Sequence, residues 1–120
     1  MKITMLCFFA FLIATMGQAQ EKNKSISFEI KGNCGMCKSR IEKTALKLKG
    51  VKMASWDAGT KVFQGVIDER KCSIEDIKKS IAEVGHDSEG FNAPKQIYDN
   101  LPPCCKYRDP DSMLMEHGNH

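Results

Sequence analysis

The chain has 120 residues, 28% of them charged, and a formal net charge of +3. That length holds one small domain and leaves no room for a second independent core. A basic surplus so slight, interspersed with acids, argues against a nucleic-acid partner or a role at a membrane surface.

The opening stretch, MKITMLCFFAFLIATMGQAQ, has one basic residue, an apolar run from Met5 to Ala14 and a small-residue end. It reads as a secretory signal peptide over residues 1–19, with Gly17-Gln18-Ala19 as the cleavage site. The run is shorter than the roughly 20 apolar residues of a transmembrane helix. The mature chain is therefore expected to be exported, periplasmic or extracellular, with no membrane insertion. Cys7 belongs to the discarded segment. The remaining cysteines are Cys34, Cys37, Cys72, Cys104 and Cys105, an odd count that cannot close entirely into internal disulfides. Most of them come as two close pairs, the arrangement of ligands, whereas a disulfide scaffold spreads its cysteines over many loops.

Along the mature chain, SISFEI (25–30) alternates, with Ile26, Phe28 and Ile30 on one face of a half-buried strand. From Cys37 to Lys49, Ile41, Ala45 and Leu48 recur at helical spacing, and Gly50 stops the helix. VKMASWD and KVFQGVID form a hairpin about Ala58-Gly59-Thr60, the first without clean alternation. Ser73 is an N-cap with Asp76 three residues on, and Ile74, Ile77, Ile81 and Val84 make the stripe of a second helix ending at Gly85. HDSEGF offers a final strand. This order predicts an α+β fold, a ferredoxin-like βαββαβ sandwich with a four-stranded antiparallel sheet and two helices on one face. The loop after the first strand, the hairpin turn and the Gly85-His86 turn then share one end of the sheet. Residues 20–93 form the domain; 94–120, with Pro94, Pro102, Pro103 and Pro110, are an irregular extension.

Cys34-Gly35-Met36-Cys37 lies between the first strand and the first helix. Two intervening residues let both sulfurs converge on one soft ion such as copper(I), zinc(II) or mercury(II). The helix N-terminus, with Lys38 and Arg40 nearby, favours thiolate, the ligating form. A thioredoxin-type dithiol uses the same features, but it wants a facing cis-proline, and no proline occurs between residues 20 and 93. The strand-and-helix context favours the metal clamp; a redox dithiol and a structural disulfide stay as alternatives. In LPPCCKYRDP, the adjacent Cys104 and Cys105 are too strained as a ring to bond to each other readily. They are secondary metal ligands, disulfide partners of Cys72 or another chain, or plain thiols. Met113, Met115, His117 and His120 form a thioether and imidazole set suited to copper, or else a disordered polar tail. Cys72, Trp56 and Phe28 read as core.

From Ser25 to about Phe91 the chain resembles a heavy-metal-associated domain, the module of copper chaperones, P-type ATPase metal-binding domains and periplasmic mercury-binding proteins. Cys34 and Cys37, the helix through Ile41 and Leu48, Gly50-Val51 and IAEVGHD carry the likeness. It implies that Cys34 and Cys37 hold a metal ion in a near-linear or three-coordinate site on an exposed loop. The ion, copper(I) before mercury(II) or zinc(II), would be handed by ligand exchange to a thiol- or methionine-bearing partner such as a P-type ATPase or efflux component, without catalytic turnover. The family commonly has a methionine where Gly32 stands, which implies a differently supported loop here. At His86 it often has an aromatic residue or lysine, so this histidine either tunes the site or is an ordinary surface residue.

Overall fold

The computed structural model describes residues 20–110. The expected signal peptide (1–19), Met113, Met115, His117 and His120 lie outside the described residues. Strand β1 (Lys24–Glu29) leads into helix α1 (Gly35–Leu46), the hairpin β2 (Val51–Trp56) and β3 (Val62–Ile67), and helix α2 (Ile74–Ala82). The sheet is antiparallel in the order β1-β3-β2. Ile26 pairs with Gly65 and Phe28 with Phe63 across β1 and β3. Alternation sends Ile26, Phe63 and Ile67 to one face, where they join Ile41, Ala45, Ile77 and Ile81 in a single buried cluster. The uneven pattern of β2 is a bulge between Val51 and Met53, which leaves Met53 exposed and still turns Trp56 fully inward.

Helix α2 has the full capping box expected of its sequence, with the Asp76 amide donating to Ser73 Oγ and the Ser73 amide to the Asp76 carboxylate. Helix α1 begins at Gly35 and ends at Leu46, both earlier than its apolar spacing suggests. Side chains from α1 fasten it to β2, an edge strand: the Trp56 amide donates to Glu42 at 2.8 Å, and Lys38 Nζ donates to the Trp56 carbonyl at 2.9 Å. The edge strand's hydrogen-bonding groups are thereby occupied at the end nearest the cysteines.

The expected fourth strand is not formed. Among the described residues the sheet has three strands, and HDSEGF contributes isolated bridges only, Ile30 with Ser88 and Ser88 with Phe91. The reason is local: Ser88 and Phe91 exchange both backbone hydrogen bonds, at 2.9 and 3.0 Å, around a turn in which Gly90 has φ of 81°. The segment folds back on itself instead of running along β1.

Beyond it, the extension has structure of its own. Residues Lys95–Asp99 form the short helix α3, and Pro103–Cys105 form a 3₁₀ turn. Its anchors are polar and aromatic. Tyr107 Oη donates to the Gly85 carbonyl at 2.6 Å and accepts from the Asp87 amide at 2.9 Å. Arg108 grips both Asp87 carboxylate oxygens, at 2.8 and 3.0 Å, and lies over the Tyr98 ring at 4.2 Å. Leu101 packs against Gly85, whose φ of 114° places it in the left-handed region. Residues 94–108 thus form a strap over the end of the sheet that carries the first loop. No helix of the described residues is long and apolar enough to cross a membrane.

Candidate metal centre

The loop between β1 and α1 ends in Cys34, the N-cap of α1, in an extended conformation with no side-chain cap on the helix. The first amides of α1 therefore face the cysteine sulfurs, which supplies positive potential where a thiolate would sit. Beneath the loop lies Trp56, whose Nε1 donates to the Ile30 carbonyl at 2.9 Å. A Cβ at position 32 would stand 3.1 Å from the indole ring and 3.2 Å from the Cys37 Cβ. The space under the loop is filled by this tryptophan, and glycine is what leaves room for it.

The strap brings the second cysteine pair onto the first. Cys34 Sγ lies 3.5 Å from Cys37 Sγ, 3.4 Å from Cys104 Sγ and 3.5 Å from Cys105 Sγ. Cys104 and Cys105 sulfurs are 4.0 Å apart. These separations are far longer than the roughly 2.05 Å of a disulfide, and the described cysteines are all free. Asn33 Nδ2 donates to the Cys104 carbonyl at 3.4 Å, tying the 3₁₀ turn to the loop. Met36 is 52% exposed, and its sulfur lies 3.6 Å from Cys104 Sγ at the outer edge of the cluster. The strap covers the loop that was expected to be exposed: Cys34 is 3% accessible and Cys37 and Cys105 are fully buried.

His86, at the turn after α2, shares this end of the sheet as the topology requires. It is fully buried, so it is not a surface histidine. Its Nδ1 faces the Lys31 carbonyl at 2.8 Å and must carry the proton, which leaves Nε2 to accept from Arg40 Nη1 at 3.3 Å. Burial holds the imidazole below its ordinary pKa, against the opposing pull of the Lys31 carbonyl. Both ring nitrogens are engaged, and His86 serves to aim Arg40, which also donates to Cys105 Sγ at 3.4 Å. The ring stacks on Tyr107 with centroids 5.5 Å apart, so the same histidine braces the strap.

The thiols differ in character. A hydrogen bond from the Cys105 thiol and the Asn33 and Cys34 amides outweigh burial and lower Cys37 to about 5. Burial pushes Cys34 up to about 11, while Cys105 is raised because its thiol donates to Cys37 and is itself desolvated. Cys72 takes no part. It sits beside Gly50 and Ser73 at the opposite end of the sheet, its thiol directed at the Ser73 carbonyl at 3.5 Å.

No family model matches the sequence, and no curated protein matches it. Solved structures do match, over about half of the chain. A CopZ metallochaperone is 24% identical with a TM-score of 0.53, covering 54% of this chain and 98% of its own. The N-terminal domain of a potential copper-translocating P-type ATPase from Bacillus subtilis, solved in its Cu(I)-loaded state, is 26% identical with a TM-score of 0.52. It covers 54% of this chain and 82% of its own. Oxidized MerP from Ralstonia metallidurans CH34 is 22% identical with a TM-score of 0.53, covering 55% and 93%. The fold is that of a heavy-metal-associated domain. This heavy-metal-associated fold carries the Cys34–Cys37 loop, and the strap that overlays it belongs to the remainder of the chain. Periodicity carries no sign of the strap's docking. The adjacency of Cys104 and Cys105, and the Tyr98, Tyr107 and Arg108 around them, were the available signals.

Proposed function

We propose that this chain binds a soft metal ion, copper(I) before mercury(II) or zinc(II), and acts as an exported carrier, chaperone or scavenger that releases its ion by thiolate exchange without catalytic turnover. The observation that carries the proposal is the single sulfur of Cys34 lying 3.4–3.5 Å from three other cysteine sulfurs at a helix N-terminus. A donor set of thiols with a thioether at its rim selects soft, monovalent-copper-like ions over hard cations. The likeness to the N-terminal domain of a potential copper-translocating ATPase, solved in its Cu(I)-loaded state, supports copper. Cys34 and Cys37 are the primary ligands.

Exchange begins from outside. Cys104 is partly exposed and Met36 largely so, whereas the other thiols are buried, so an incoming partner thiol meets this outer pair first. A P-type ATPase or efflux component presenting thiols or methionines is the expected partner. The apolar leader at residues 1–19 supports export, into a periplasm or outside the cell. In an oxidising compartment, burial beneath the strap protects the thiols from disulfide exchange.

Anaerobic titration of the reduced protein with copper(I) and mercury(II) tests this reading. Stoichiometric binding is expected, weakened at least about a hundredfold in a Cys34→Ser/Cys37→Ser variant. Undiminished binding in that variant, or efficient reduction of disulfide substrates by the wild type, would overturn it.

A further inference from the structure

The four clustered thiols outnumber what one copper(I) ion uses, and their layout is not that of one four-coordinate site. The sulfurs of Cys34, Cys104 and Cys105 all lie within 4.8 Å of one another, and Cys37 falls outside that group. Cys37 is instead close to Cys34, at 3.5 Å. Cys34 is therefore common to two groups, an outer triangle with Cys104 and Cys105 and an inner pair with Cys37. Sulfurs about 2.3 Å from a shared ion stand about 4.0 Å apart in a trigonal plane and about 4.6 Å apart on a line. The edges of the outer triangle, 3.4, 3.5 and 4.0 Å, lie nearer the trigonal spacing than the linear one.

Resting on the copper reading above, we propose that the protein holds two copper(I) ions per chain, one in the outer triangle and one on the Cys34–Cys37 pair, with Cys34 common to both. Charge supports the pair. Four thiolates around one copper(I) leave three negative charges in a buried site, and a second ion removes one of them. Arg40, 3.4 Å from Cys105 Sγ and oriented by His86, offsets another. Met36 Sδ, 3.6 Å from Cys104 Sγ, stands where it adds a thioether to the outer ion. On loading, the protons still held by these thiols leave to solvent and no oxidation or reduction occurs. The strap thereby becomes half of the site, and the outer ion is the one first accessible to a partner.

The test is native mass spectrometry of the full reduced chain, loaded anaerobically with copper(I) against a chromophoric copper(I) chelator, alongside the red luminescence of polynuclear copper(I)–thiolate cores. Two coppers on a monomer, with luminescence, are expected. A Cys104→Ser/Cys105→Ser variant should hold one copper and be dark; a Cys104→Ser single change, at the partly exposed tip, gives the same readout with less risk to folding. One copper on the wild type, two on the Cys104→Ser/Cys105→Ser variant, or copper bridging two chains would overturn the two-ion site while leaving the copper reading intact. No copper on any form would overturn both.

Discussion

Gly32 illustrates how a single residue sets the support of the site. The methionine common at this position among heavy-metal-associated domains has no room here, because the Trp56 indole already fills the space under the loop and bonds to the Ile30 carbonyl. Gly32→Met is therefore expected to destabilise the protein by about 1–3 kcal/mol through overpacking, seen as a lowered urea midpoint. Pairing it with Trp56→Leu should recover part of that loss, since the contact is removed. His86 is a second case. Its sequence position suggests a tuning residue or an ordinary surface histidine, but the imidazole is buried with both nitrogens bonded. Replacing His86 with Phe should unmoor Arg40 from Cys105 and weaken copper(I) retention. His86→Gln, which can keep one of the two hydrogen bonds, should do so less. Competition against a copper(I) chelator distinguishes the two variants.

At the scale of elements, the order of strands and helices was legible because alternation, helical spacing and the Ser73–Asp76 box are local signals that tertiary packing reinforces. The fourth strand was not, because its apolar and polar residues satisfy strand alternation while Gly90 permits a turn that alternation cannot register. The strap was least legible of all: it is held by contacts between residues far apart in sequence, not by an apolar period of its own. Tyr107→Phe should cost about 1–3 kcal/mol, because it leaves the Gly85 carbonyl and Asp87 amide without their partner. Amide exchange in residues 94–108 should then quicken while β3 stays protected. The Asp87–Arg108 clamp has a definite pH dependence. Burial alone would raise the Asp87 carboxyl, but the Arg108 guanidinium and the Ala93 amide hold it below its ordinary value. Its contribution is thus complete above the unfolded-chain value of about 3.9 and is lost as pH falls through the lower folded value. Amide protection in residues 94–108 should fall relative to that of β3 on acidification in that window, and Asp87→Asn should flatten the effect.

For the whole molecule, the place of the first cysteine pair between a strand and a helix was readable from the sequence, whereas the closure of the site was not. Two clusters about 70 residues apart in sequence meet only because the extension returns across the end of the sheet. On the proposed reading, the covering strap suits retention and protection of a soft metal ion, with release to a partner that displaces Cys104 first. The central claim is that these thiols exist to hold a soft metal. Metal analysis and thiol counting on protein isolated anaerobically from its own compartment address it most directly. The account predicts copper bound to the chain, with Cys34, Cys37, Cys104 and Cys105 reduced and resistant to alkylation until the metal is removed. Metal-free protein carrying a Cys34–Cys37 disulfide would contradict it.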